Sequence, residues 1–178
     1  MEENSESQVL TPRSTGIRYG AIFGIISIAY FLIFTIADLD MSKGIGRWGT
    51  TIIALVIVFL AHKFFKENGD GFMTYGQGIG IGFWIGLVAS AISSIFTYIY
   101  VKFIDAEFIS KIREKAMEDM EAQGQSEEQM EMAMKFVNMF TGAEALLFFG
   151  LFVGILTLVI VALIISIFTQ KPRPEQFA

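Results

Sequence analysis

Apolar and polar residues are sorted along this chain into long blocks. Apolar runs without a central charge occupy residues 19–37, 47–65, 76–101 and 145–168, with polar segments between them. A hydrocarbon core about 30 Å thick needs roughly 20 helical residues to cross, so each run is expected to be a membrane-spanning helix. The second is the shortest in uncharged length, because it stops at Ala61 and is followed by His62, Lys63 and Lys66. It spans if Lys63 carries its ammonium out to the interface, with Trp48 anchoring one end and Phe64 and Phe65 extending the other.

The connections at residues 38–47 and 66–75 are short, and the second carries the turn sequence Asn68-Gly69-Asp70-Gly71. Short links make neighbouring spans antiparallel. Residues 102–144 differ, being long and helical in pattern. Ile104, Phe108, Ile112, Ala116 and Met120 recur at every fourth place, and Met130, Ala133, Met134, Val137 and Thr141 form a second stripe. Gly124 interrupts the two, and Ser126 followed by Gln129 has the form of a capping box that opens a new helix. Asp105 either caps the first arm or lets the third span run on. The expected fold is therefore all-α: an integral membrane four-helix bundle with a helical hairpin at 102–144 extending from spans 3 and 4. A polar tail at 1–18 and a second tail at 169–178 flank it. Arms of about 18 residues would rise roughly 27 Å, and they either project from the membrane or lie on it. Their acid-rich outer face favours projection, since anionic lipid repels it.

Inside the spans, small residues recur at helical spacing. Gly78, Gly82, Gly86, Ser90 and Ser94 fall at every fourth position of the third span, on one ridge almost free of side-chain bulk. The first span has Gly16, Gly20 and Gly24, and the fourth has Gly150, Gly154, Ala162 and Ser166. Such ridges let helix backbones approach closely in lipid, so Gly20, Gly24, Gly78, Gly82, Gly86, Ser90, Ser94, Gly150 and Gly154 are expected to pack helices. A nucleotide-binding loop is excluded, because no register of these glycines satisfies G-x-G-x-x-G and no strand precedes them.

Composition agrees with a membrane protein: 53% of residues are apolar and the mean hydropathy is +0.56. The net charge of −5 belongs mainly to one segment, since residues 105–144 hold ten acids against four bases. No basic patch with interleaved aromatics exists, which argues against nucleic acid. Cysteine is absent, so thiol chemistry and disulfides are excluded. The start carries Glu2, Glu3 and Glu6 rather than a basic region, and the first apolar run is read as an uncleaved span. Arg13, Arg18, Lys63, Lys66, Lys171 and Arg173 crowd short segments on the side of both termini. The cations opposite them sit mostly in the long hairpin, so both termini are placed inside and the hairpin outside.

Candidate chemistry is sparse. Met130, Met132 and Met134 suggest a soft-metal site, but Met132 points away from the other two on a helix, and flexible core filling explains them better. Glu127, Glu128 and Glu131 read as a solvated face. The span interiors lack ionisable groups, which argues against ion-coupled transport and proton pumping. Asp38, Asp40 and Glu144 form an acidic rim on one side, and His62 is expected at the opposite membrane boundary. No catalytic residue, cofactor or metal ligand is expected.

The entry to the third span, Gly71-Phe72-Met73-Thr74-Tyr75-Gly76-Gln77, and its exit, Phe96-Thr97-Tyr98-Ile99-Tyr100-Val101-Lys102-Phe103-Ile104-Asp105, resemble the bacterial domain of unknown function 4199 family. The Met- and Glu-rich hairpin with Gly124-Gln125-Ser126-Glu127-Glu128-Gln129 at its turn adds to the likeness. The resemblance implies a small four-span protein of the bacterial cytoplasmic membrane and supplies no activity. The function expected is non-enzymatic, by helix packing and by protein contact through Phe108, Ile112, Met120, Met130, Met134 and Val137 of the hairpin. Besides the lipid bilayer, the expected partner is a second copy or another membrane or envelope protein. The alternative is a small oligomeric channel or facilitator with Ser90, Ser93, Ser94 and Thr97 along its path.

Overall fold

Thr11 and Pro12 start the first helix well ahead of the apolar run. The Ser14 amide donates to Thr11 Oγ1 at 3.0 Å, the Thr11 amide to Ser14 Oγ at 3.1 Å, and Pro12 occupies a position whose missing N–H costs nothing. Residues 12–18, expected in the polar tail, are thus helical. The computed structural model describes residues 10–174 apart from 40 and 42, so Glu2, Glu3, Glu6 and Asp40 lie outside the described residues.

The helices are α1 (Pro12–Ile36), α2 (Gly44–Glu67), α3 (Tyr75–Ile99), a π-helical turn (Tyr100–Ile104), α4 (Phe108–Ala122), α5 (Glu127–Phe140) and α6 (Ala143–Thr169). The fold is all-α; the one extended pairing among the described residues is an isolated antiparallel bridge between Met73 and Lys171. Among the described residues, four helices are long and apolar enough to cross a membrane: α1, α2, α3 with its π turn, and α6.

Local chemistry explains the joints. Gly71 takes φ +84°, the left-handed conformation that glycine tolerates, and Asp70 Oδ1 accepts the Phe72 amide at 3.0 Å, closing the turn between α2 and α3. Thr74 and Gln77 exchange side-chain and backbone hydrogen bonds at the start of α3, at 2.7 and 3.2 Å. Asp105 breaks the helix after the π turn with φ −129° and ψ 86°, and its Oδ1 accepts the Glu107 amide at 3.1 Å. Gly124 turns the hairpin at φ +70°, and Ser126 with Gln129 forms the capping box of α5.

The chain forms two compact units. The first comprises the described residues up to Ala89 together with those from Gly154 onward. Its core joins Phe23 of α1, Val58, Ala61 and Phe65 of α2, Ile81 and Ile85 of α3, and Leu158, Val161 and Ala162 of α6. Large apolar side chains also cover its outside, among them Ile25, Ile33, Ile52, Phe83 and Ile164. An apolar exterior is what a bilayer solvates, and a water-soluble bundle would bury it.

The second unit comprises Ser90–Val153. Here α4 packs against α5. Met120 is buried, whereas α5 has no fully buried residue. Arg113 Nε donates to Thr141 Oγ1 at 3.1 Å, tying the arms at their base, and Tyr100 meets Phe108 edge to face at 6.1 Å. Ile104, expected on the inner stripe with Phe108, lies in the π turn instead and is exposed. The wider turn rotates it off the face that regular fourth-place spacing assigns.

Candidate functional site

The small residues of the first unit are spent on close helix contacts. A Cβ built on Gly82 would collide with Ala162 Cβ of α6, and one on Gly86 would stand 3.0 Å from Leu158 Cβ and 3.1 Å from Ile155 Cα. On Gly78 it would collide with Ser166 Oγ. This ridge of α3 therefore lies directly on α6. Toward α1, α3 presents bulk, and the glycines belong to the partner: Gly16 accommodates Trp84, and a Cβ on Gly20 would be 2.9 Å from Val88 Cβ. Gly24 is buried in α1, and Gly154 is half-buried in α6. Gly49 of α2 similarly receives the Tyr30 ring, whose hydroxyl donates to Ile45 O at 2.7 Å and Gly46 O at 3.0 Å.

In the second unit the series continues through Ser94, which is buried, and a Cβ on Gly150 would lie 2.9 Å from Ser94 Oγ. Ser90 is also buried.

His62, expected at a membrane boundary, is enclosed by helices. It is 0% exposed. Nε2 lies 3.0 Å from Gly78 O and Nδ1 lies 2.8 Å from Thr169 Oγ1, so one imidazole ties α2 to α3 and α6. A carbonyl only accepts, which puts the ring proton on Nε2 in the neutral form. Nδ1 is then an acceptor for the Thr169 hydroxyl, which also has Ile165 O within reach at 2.8 Å. Lys66 Nζ donates to Thr169 O at 2.8 Å, and Tyr75 Oη to Leu163 O at 3.3 Å.

Ser166 Oγ is buried beside this knot without a hydrogen-bond partner. Both imidazole nitrogens are already engaged, so His62 does not serve Ser166 as a base. The cluster ties α2, α3 and α6 together. The sequence signal for it was faint: a lone His at the end of an apolar run, with a Thr and a Gly at helix ends far away in the chain.

The predicted hairpin residues are among the less exposed positions of α4 and α5, which pack on each other. Met120 is buried and Phe108, Ile112, Met130, Met134 and Val137 are half-buried on the faces that α4 and α5 turn inward. The other face of α5 carries Met132, Phe136 and Met139, exposed by 52%, 63% and 59%. Their spacing of four and three puts them on one stripe. Glu127, Glu128 and Glu131 are exposed nearby in the chain. The three methionines at 130, 132 and 134 thus do not converge, and no group of three or more His, Asp or Glu poised for a metal occurs among the described residues.

Some charges elsewhere are paired at the surface. Lys102 Nζ reaches Tyr98 Oη at 2.6 Å and Glu144 Oε1 at 3.1 Å, so Glu144 of the expected rim is an ion-pair partner. Arg173 hydrogen-bonds Asp70, and that contact together with the Phe72 amide holds the Asp70 carboxyl below the ordinary carboxylate range.

A family described as "Protein of unknown function (DUF4199)" matches residues 18–171. No curated protein and no solved structure matches the chain.

Proposed function

The chain belongs to the DUF4199 family of unknown function, and on that footing we propose a non-enzymatic contact protein of the bacterial cytoplasmic membrane. Four spans put both termini on one side, and an odd number of spans before the hairpin puts α4 and α5 on the other. The Lys and Arg bias of the short terminal segments makes the terminal side cytoplasmic.

The observation that carries this reading is the outer stripe of α5. Phe136, flanked by Met132 and Met139, is exposed in a helix whose other apolar stripe already holds the hairpin together. Methionine adapts to a partner's shape, and an exposed aromatic among methionines suits a protein contact. The exposed Glu127, Glu128 and Glu131 fit a partner whose apolar ridge has a basic rim. The contact surface is thus assigned to the outer face, with the inner residues as the framework that presents it.

A photo-crosslinking side chain at Phe136 in the intact protein in cells is expected to capture one discrete protein or a second copy, while the same group at the buried Met120 captures neither. No adduct from 132, 136 or 139 would sink the proposal. A single cysteine at Gln125, in a chain with no other, is expected to react with an impermeant reagent from outside; reaction only after permeabilisation would reverse the topology.

A further inference from the structure

Arg18 sits two turns inside α1, between Gly16 and Gly20, whose backbone is pressed against Trp84, Ile85 and Val88 of α3. Its backbone therefore lies within a candidate span, yet its side chain is exposed and reaches the ring of Phe64 in the last turn of α2, with the guanidinium carbon 4.6 Å from the ring centroid. Side chains of a helix lean toward its N-terminus, so this is the direction in which an arginine escapes hydrocarbon. On another flank of α1, Arg13 lies over Trp84 at 5.0 Å, and Lys171 lies over Phe72 at 5.4 Å.

The carboxylates described at this end are already engaged. Glu67 pairs with Lys63 at 3.7 Å, and Asp70 pairs with Arg173. Among the described residues neither Arg13 nor Arg18 has a carboxylate partner. The starts of α1 and α3 add the positive ends of two helix dipoles. An arginine that emerges near the start of an apolar span, level with the last turn of α2, meets one abundant anion, the phosphate of a lipid headgroup. Guanidinium binds phosphate through paired N–H groups, and the aromatic ring beneath it restricts the geometry it offers.

We propose that the amino-terminal end of α1 is an anionic-phospholipid face, with Arg18 and Arg13 taking headgroup phosphates on two flanks of the helix. The face selects a phosphatidylglycerol-type lipid over a zwitterionic one, because the two guanidinium groups, which among the described residues have no carboxylate partner, are not matched by a headgroup that carries its own cation.

The test uses the full-length protein in nanodiscs of phosphatidylcholine with and without phosphatidylglycerol. Lipid retained after mild detergent extraction is counted by native mass spectrometry, and unfolding is followed in both discs. Several-fold enrichment of phosphatidylglycerol over its share of the disc is expected, together with a higher midpoint in the anionic disc. R13Q/R18Q is expected to lose both, while K43Q/R47Q, which removes the same charge from the start of α2, keeps them. The proposal is overturned if the wild-type protein retains the two lipids in proportion to supply, or if R13Q/R18Q retains phosphatidylglycerol like the wild type. Equal losses from K43Q/R47Q would reduce the effect to net charge, and equal stabilisation by inorganic phosphate in phosphatidylcholine discs would assign the arginines to a free anion; either overturns it. The wild-type comparison stands even if the double variant does not fold.

Discussion

The contact of α3 with α6 and the contact of α4 with α5 solve the same problem in opposite ways. In the first, side chains are nearly removed: Gly78, Gly82 and Gly86 bring one backbone onto Ser166, Ala162 and Leu158. In the second, α4 packs on α5 through faces that carry long side chains, with Met120 buried and Met130 and Met134 half-buried. Lipid gives two apolar helices no hydrophobic reason to associate, so they must gain dispersion and hydrogen bonds at very short range. Amphipathic arms gain by hiding apolar surface against each other and do not need a close fit. The tight contact should thus be intolerant of added volume, and the loose one forgiving.

The largest expected effect is on the tight contact. Gly82→Leu forces a branched chain into the space of Ala162 and is expected to cost about 3 kcal/mol or more, read as a collapse of the thermal midpoint in detergent by circular dichroism. Gly76→Leu, where a Cβ meets nothing within 4 Å, should leave the midpoint in place; equal damage from both would break the comparison. Next comes the polar knot. His62→Leu leaves Gly78 O without its donor, a loss of about 2 kcal/mol by the same measurement.

In the hairpin, Ser126→Ala removes the cap of α5 and is expected to cost about 1 kcal/mol, seen as faster amide exchange within α5 and no change in the exchange of α2. Smallest is the exposed pair of Asp70 with Arg173. Because the folded carboxyl titrates below its ordinary value, its contribution is present at neutral pH and fades as pH falls through that lowered value. Wild type and Asp70→Asn should therefore differ slightly near neutrality and converge in acid; a gap that widens in acid would contradict the pairing.

Four spans, the Gly124 turn and the Ser126 capping box were legible because each is written in neighbouring residues. The partners were not. A ridge from Gly78 to Ser94 shows that α3 has a smooth face without saying that α6 lies on it, nor that α1 supplies its own glycines against the bulk of Trp84. His62 shows the same limit, since nothing near it in the chain points to Thr169, 107 positions away, as its partner. On the hairpin, the regular inner stripe is easy to read, whereas the exposed stripe of Met132, Phe136 and Met139 is harder to read because Lys135 interrupts it with charge.

The π turn carries a consequence for how this chain tolerates change in length. The Asp105 amide reaches Tyr100 O at 2.9 Å, a step of five residues where an α-helix takes four. That turn holds one residue of slack. A single deletion there returns the backbone to ordinary pitch, whereas a deletion between Gly78 and Gly86 swings everything beyond it by about 100° and takes the rest of the ridge off α6. Insertions and losses along α3 are thus unequal, with a phase that is free to drift after Tyr100 and locked before it.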